Sequence, residues 1–134
     1  DDETEIFLIA GGTGITPFIS FLEYAVDKKI NMKVNLFYGV KSPEYLIFDA
    51  LLEECDKNLN GFNCHVYIER DSHKCKWKNV RNGILSIETI MKDKNNNPDS
   101  IYYLSGPYQM IDIFREKMKK HEILEDKIII DKWE

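Results

Sequence analysis

The sequence is poor in the residues that would make it a disulfide scaffold, a metal site, a membrane span or a polyanion binder. It has three cysteines, an odd number, at positions 55, 64 and 75, with no Cys-x-x-Cys pair. That spacing is neither a zinc pattern nor a disulfide framework, and it fits a reducing compartment. The expectation is two cysteines in or near the core and Cys75 in a loop, since a free thiol packs as a small hydrophobe. Basic residues are outnumbered: 18 Lys and Arg against 23 Asp and Glu leave a formal net charge of −5, which argues against a nucleic-acid partner. No apolar run approaches the roughly 20 residues of a membrane helix. The chain opens on Asp1-Asp2-Glu3 with no signal-peptide pattern, and the expected location is cytoplasmic. No internal repeat interrupts it, and three asparagines near position 96 are the only low-complexity run.

What remains is a composition suited to a folded core. Of 134 residues, 43% are hydrophobic and 31% charged, enough for one domain spanning 1–134. Strand and helix patterns alternate along it. Ile6–Ala10 reads as a buried strand, and Phe18, Phe21, Leu22 and Ala25 recur on one helical face. Lys33–Val40 is a second strand, followed by a helical stripe of Phe48, Leu51, Leu52, Cys55 and Leu59. Asn63–Glu69 alternates as a third strand. A polar irregular stretch runs from Arg70 to Gly83, and Ile84–Met91 suggests a short helix. Ile101–Leu104 is a fourth strand, and Pro107 is expected to open a helix with Met110, Ile113, Phe114 and Met118 on one face. Lys127–Asp131, with three consecutive isoleucines, reads as a fifth strand at the centre of a parallel sheet. Strands alternating with helices imply a parallel sheet with right-handed crossovers.

Two strand-turn-helix junctions carry the chemistry. In the first, Ile6–Ala10 runs into Gly11-Gly12-Thr13-Gly14-Ile15-Thr16-Pro17. Glycines let a backbone approach a ligand closely, and the amides of a helix N-terminus attract an anion. Thr16 is expected to cap the helix and Pro17 to take its first position. The loop is neither a P-loop, lacking the lysine, nor the ordinary dinucleotide fingerprint, because Pro17 stands at the third glycine. In the second junction, Tyr102-Tyr103-Leu104 runs into Ser105-Gly106-Pro107-Tyr108-Gln109-Met110. In an open parallel sheet both turns lie at the carboxyl ends of strands, where ligands bind if the strand order reverses between them.

Ala10–Pro17 and Ser105–Met110 resemble the GGTGxTP and CGPxxM motifs of the ferredoxin–NADP reductase superfamily, and Phe37–Phe48 resembles the stretch after the family's second strand. The three occur in family order between Ala10 and Met110. The nearest likeness is to the NADH-cytochrome b5 reductase and oxygenase-reductase branches. The resemblance implies an α/β three-layer, Rossmann-like sandwich with a five-stranded parallel sheet of order 3-2-1-4-5. It implies that Gly11, Gly12, Thr13, Gly14, Thr16 and Pro17 hold the pyrophosphate and nicotinamide end, with Gly106, Pro107 and Met110 forming the adjoining wall. Ser105 and Thr16 are the residues expected at the reacting end. The family passes hydride from NADH or NADPH to FAD or FMN held by a separate N-terminal β-barrel, and thence to an electron-acceptor protein. That barrel is absent here, so this chain reads as a domain of a longer protein, inactive by itself.

Ser105 departs from the family's cysteine, and slower or differently aligned hydride transfer is the expectation. Glu44, after strand two, and Arg70, after strand three, are candidates for the adenosine end: an acid accepts from the ribose 2′-hydroxyl and repels a 2′-phosphate. With Arg70 flanked by Glu69 and Asp71, NADH is favoured over NADPH. Trp133, after the last strand, is a candidate to cover the flavin ring. Trp77 is expected to pack structurally, and His65 and His73 to be strand and loop residues; no metal set is seen. Two alternatives from other classes are a nucleotide-sensing module without redox work and a flavodoxin-like domain that binds flavin itself.

Overall fold

A computed structural model of the chain describes residues 5–92 and 98–133, excluding the side chains of Lys132 and Trp133. Six parallel strands form one sheet in the order β4-β3-β2-β1-β5-β6. They are β1 (Glu5–Gly11), β2 (Lys33–Val40), β3 (Phe62–Ile68), β4 (Val80–Asn82), β5 (Ile101–Pro107) and β6 (Ile128–Trp133). The helices are α1 (Thr16–Lys28), α2 (Asp49–Asn58), α3 (Ile87–Lys92) and α4 (Tyr108–Lys120). The strand order reverses at β1, which has β2 on one side and β5 on the other.

Each face of the sheet has its own core, because side chains alternate along a strand. Ile6, Leu8 and Ala10 of β1 pack with Phe18, Leu22 and Ala25 of α1 and Leu52 and Cys55 of α2. Phe7 and Ile9 face the other way, onto Ile87 and Ile90 of α3 and Ile111, Phe114 and Met118 of α4. An aromatic row crosses that second face, with Phe7 stacked on Tyr102 at 4.8 Å and Phe37 on His65 at 4.7 Å between ring centroids.

The α/β fold and parallel sheet agree with the sequence reading, with four corrections. The sixth strand, β4, lies within the stretch read as irregular. Its three residues pair with Val66–Ile68 of β3, but Val-Arg-Asn is too short to show an alternation. The isoleucine strand β6 is an edge rather than the centre: Ile128 and Ile130 pack under α4, while Ile129 is 46% exposed. In α4 the buried positions are Ile111, Phe114 and Met118; Ile113 is exposed, and the helix begins at Tyr108, with Pro107 ending β5 as its cap. Phe48 lies outside the α2 stripe: it precedes the helix with φ 65° and is 38% exposed.

The cysteines fall as expected. Cys55 and Cys64 are buried, and Cys75 is half-buried after a short 3-10 turn. Burial, with the Glu54 charge adding to it, pushes the Cys55 thiol up to about 11; burial also pushes Cys64 up, helped by Asp56. Trp77 donates its indole N–H to the Cys64 carbonyl at 2.9 Å, which pins the loop after β3 to that strand. No described helix is long and apolar enough to cross a membrane.

Candidate functional site

The two glycine turns are interlocked at the carboxyl edge of the sheet. β1 ends in a 3-10 turn, Gly12–Ile15, that runs directly into α1. Thr16 is therefore the first helical residue rather than its cap. Ile15 occupies the cap position, no side chain caps the end, and Pro17 moves one place inward. The Thr16 N–H donates to the Thr13 carbonyl, so the 3-10 turn continues into the helix in place of a side-chain cap. Gly12 needs to be glycine for conformational reasons, with φ +57°. Gly14 needs to be glycine for space: a Cβ there would overlap the Ser105 carbonyl group and lie 3.0 Å from the Gly106 nitrogen. A Cβ on Gly106 would meet Met110 Cε at 2.7 Å, and one on Gly11 would meet Met110 Sδ at 2.5 Å. The Met110 thioether thus packs against the backbone of both turns.

Ser105 lies between the turns. It is fully buried, in register with Ala10 of β1 and Asp131 of β6, and its hydroxyl has no hydrogen-bond partner among the described residues. A buried unpaired hydroxyl is costly unless something else completes it.

The turns open onto a crevice of about 510 Å³ running along the strand ends. One end is formed by Gly11, Gly12, Pro107 and Met110, the other by Lys41 and Glu69, and Gly83–Ile87 with Ile113, Phe114 and Lys117 form the long wall. That wall is mostly apolar; Lys117, held by Glu88 at 2.9 Å, is its charged group. Lys117 in turn holds the exposed Glu88 carboxyl below the ordinary range, chiefly through this hydrogen bond.

The adenosine-end candidates lie just beyond the lining. Glu44 sits in an exposed 3-10 turn, Pro43–Tyr45, that is tied to β2 through Tyr38: its hydroxyl donates to the Tyr45 carbonyl at 3.5 Å and accepts from the Ile47 N–H at 3.4 Å. The Glu44 carboxyl is held below the ordinary range by its own backbone N–H, then by the Ser42 hydroxyl, with the charges of Arg70 and Lys74 adding to it. Arg70 N–H donates to the Lys41 carbonyl at 2.9 Å. Glu44 and Arg70 are thus neighbours, but the charged groups that line this end of the crevice are Lys41 and Glu69, three residues and one residue nearer their strands. Glu69 was named in the sequence only as a flank of Arg70. Its place is fixed by β3–β2 pairing continued through Glu69 N–H to the Val40 carbonyl at 3.2 Å, a relation between strands that no local pattern announces. The Trp133 side chain lies outside the described residues. Among the described residues no group of three His, Cys, Asp or Glu side chains is placed to hold a metal.

Residues 8–116 match the model of the oxidoreductase NAD-binding domain. The chain belongs to the oxidoreductase NAD-binding domain family. Among curated relatives of this domain, the 2-halobenzoate 1,2-dioxygenase electron transfer component of Burkholderia cepacia is 32% identical over 82% of the chain and 32% of that protein. The zebrafish (Danio rerio) oxidoreductase NAD-binding domain-containing protein 1 is 26% identical over 96% of the chain and 52% of its own length. The chain therefore spans about a third of one of these relatives and about half of the other. A flavohemoglobin of Malassezia yamatoensis, solved with bound FAD and heme, superposes with a TM-score of 0.80 at 20% identity over all of the chain and 33% of that structure. The family match supports binding of a nicotinamide dinucleotide by this domain.

Proposed function

We propose that this domain presents NADH to a flavin carried elsewhere in the protein, as part of a flavin-dependent oxidoreductase whose electrons pass on to an acceptor protein. The observation that carries this reading is the interlocking of the two glycine turns around Ser105, whose buried hydroxyl has no partner.

The residues present fit a dinucleotide. The glycine-cleared surface of Gly11, Gly14 and Gly106 admits close backbone approach, and the amides of Gly12, Thr13 and Gly14, at the uncapped start of the helix, suit the pyrophosphate. Thr16 and Ser105 then stand at the nicotinamide end, with Pro17, Pro107 and Met110 shaping the space around it. Ser105 is fully buried and outside the crevice lining, so its hydroxyl would meet the nicotinamide carboxamide only where the two turns part slightly around the bound ring. At the far end Glu69 accepts from the ribose hydroxyls and repels a 2′-phosphate, with Arg70 one residue further along the chain and Glu44 outside the crevice lining. A bound FAD or FMN supplies the acceptor for hydride from nicotinamide C4, and Trp133 is a candidate to lie against its ring. The domain contributes alignment and exclusion of water, since the cofactors carry the chemistry.

Calorimetric titration of the chain with NADH and NADPH tests the binding half. NADH is expected to bind more tightly. A tenfold preference for NADPH, equivalent to about 1.4 kcal/mol, overturns the assignment of Glu69.

A further inference from the structure

At the amino ends of β1 and β5, opposite the glycine turns, buried oxygens gather without partners. Glu5 Oε1, Ser100 Oγ and Tyr102 Oη make no hydrogen bond among the described residues. Glu5 is 5% exposed, and Ser100 and Tyr102 are 2% exposed each.

Strand geometry brings them together. Phe7 and Ile9 belong to the α3/α4 core, so Glu5, two residues before Phe7, turns to the same face. Ile6 is in register with Ile101 and Phe7 with Tyr102, which sets Ser100 level with Glu5 and Tyr102 diagonal to it. Adjacent strands lie about 4.8 Å apart, and two residues add about 7 Å along the strand, within reach of a phenol. Burial, with the Glu5 charge adding to it, pushes the Tyr102 phenol up to about 12, so its hydroxyl feels this carboxylate. From β2, Asn35 donates its side-chain N–H to Glu5 Oε2 at 2.7 Å.

A buried carboxylate calls for a compensating charge. Asn35 supplies only a dipole, and none of the ion pairs among the described residues includes Glu5. Lys33, its register partner on β2, is exposed. A water molecule would satisfy the two hydroxyls and leave the charge uncompensated.

We propose that Glu5, Ser100 and Tyr102 hold a monovalent cation of the sodium or potassium class at the amino edge of the sheet. Hard oxygen donors suit an alkali cation rather than a metal that seeks thiolate or imidazole. One carboxylate balances one positive charge, whereas a divalent ion would leave a charge over. Glu5 supplies the charge, and the two hydroxyls turn their lone pairs toward the ion. None of the three residues lines the crevice, so the ion ties β1 to β5 without touching the dinucleotide.

Thermal unfolding of the protein in KCl, NaCl and choline chloride at equal ionic strength tests this, because an ion bound only by the folded state raises the midpoint. At about ten times the dissociation constant, the midpoint in KCl or NaCl is expected about 4 °C or more above that in choline chloride. Glu5→Gln is expected to abolish the difference, and Lys33→Met to retain it. Tyr102→Phe is expected to shrink the difference, yet to be at least as stable as the parent in choline chloride, because it removes a buried hydroxyl that lacks a partner. This variant keeps the test decisive if Glu5→Gln does not fold. Equal midpoints in the three salts overturn the proposal. So does an alkali-specific rise that survives undiminished in Tyr102→Phe, which puts the ion elsewhere.

Discussion

A methyl group on Gly14 would overlap the carbonyl of Ser105, a residue from the far end of the chain. The two turns leave adjacent paired strands, in register at Ala10 and Ser105, and this close backbone contact fixes how they sit against each other. Because the obstacle is backbone, it cannot swing away. Gly14→Ala is expected to lower stability by about 1–3 kcal/mol, the range for overpacking, and to weaken NADH binding as the turns separate. Gly12→Ala differs: nothing lies within 4 Å of the added carbon, so its cost is the left-handed conformation alone, about 1–2 kcal/mol. Urea unfolding of the two variants, followed by NADH titration, separates the effects.

Gly106 is limited by a flexible neighbour instead. Gly106→Ala displaces the Met110 methyl group, which has room to turn into the crevice. The expected outcome is a stability loss below about 1 kcal/mol with a clear loss of dinucleotide affinity. Met110→Ala in the same background should restore part of that affinity, because it removes the displaced group.

Cofactor choice is expected to follow Glu69 more than Glu44. Glu69→Gln should raise NADPH affinity relative to NADH by about tenfold, or about 1.4 kcal/mol. Glu44→Gln should move the ratio far less, since that carboxylate is fully exposed and outside the lining. Dissociation constants for both cofactors in both variants decide between the two acids.

The fold was legible where pattern is local. Phe18, Leu22 and Ala25 announced α1, and the family resemblance carried by the two glycine turns implied the reversal of strand order at β1. Ile128–Ile130 misled, because three isoleucines look two-sided whether the second face is covered by this chain or by another. β4 was invisible because its partner, Val66–Ile68, creates it. Of the site, the turns were readable from motif and spacing. The opposite end was not: whether Glu44 or Glu69 faces the crevice depends on how β2 and β3 end relative to each other, and both acids look alike in sequence.

Alkaline pH should destabilise the domain. Burial raises the Cys55 thiol from 9.0 to about 11 and the Tyr102 phenol from 10.0 to about 12, while Cys64 moves in the same direction. The folded state therefore holds protons that the unfolded chain releases. The contribution is fully present below about pH 9 and is lost as pH rises through 11 and 12. Denaturant midpoints should hold level near pH 8 and fall between about pH 9 and 11. The same burial predicts one thiol, Cys75, reacting quickly with a disulfide reagent and all three reacting after unfolding.

The most direct test of the account is anaerobic mixing of NADH with the flavin-loaded protein made from its complete gene, with the flavin absorbance followed in time, for the parent and for Ser105→Cys. The account predicts stoichiometric bleaching of the flavin by NADH and a changed bleaching rate in the variant, because Ser105 stands at the reacting end. Tight NADH binding with no flavin reduction would contradict it and leave a nucleotide-sensing module; an unchanged rate in Ser105→Cys would remove that residue from the reacting end.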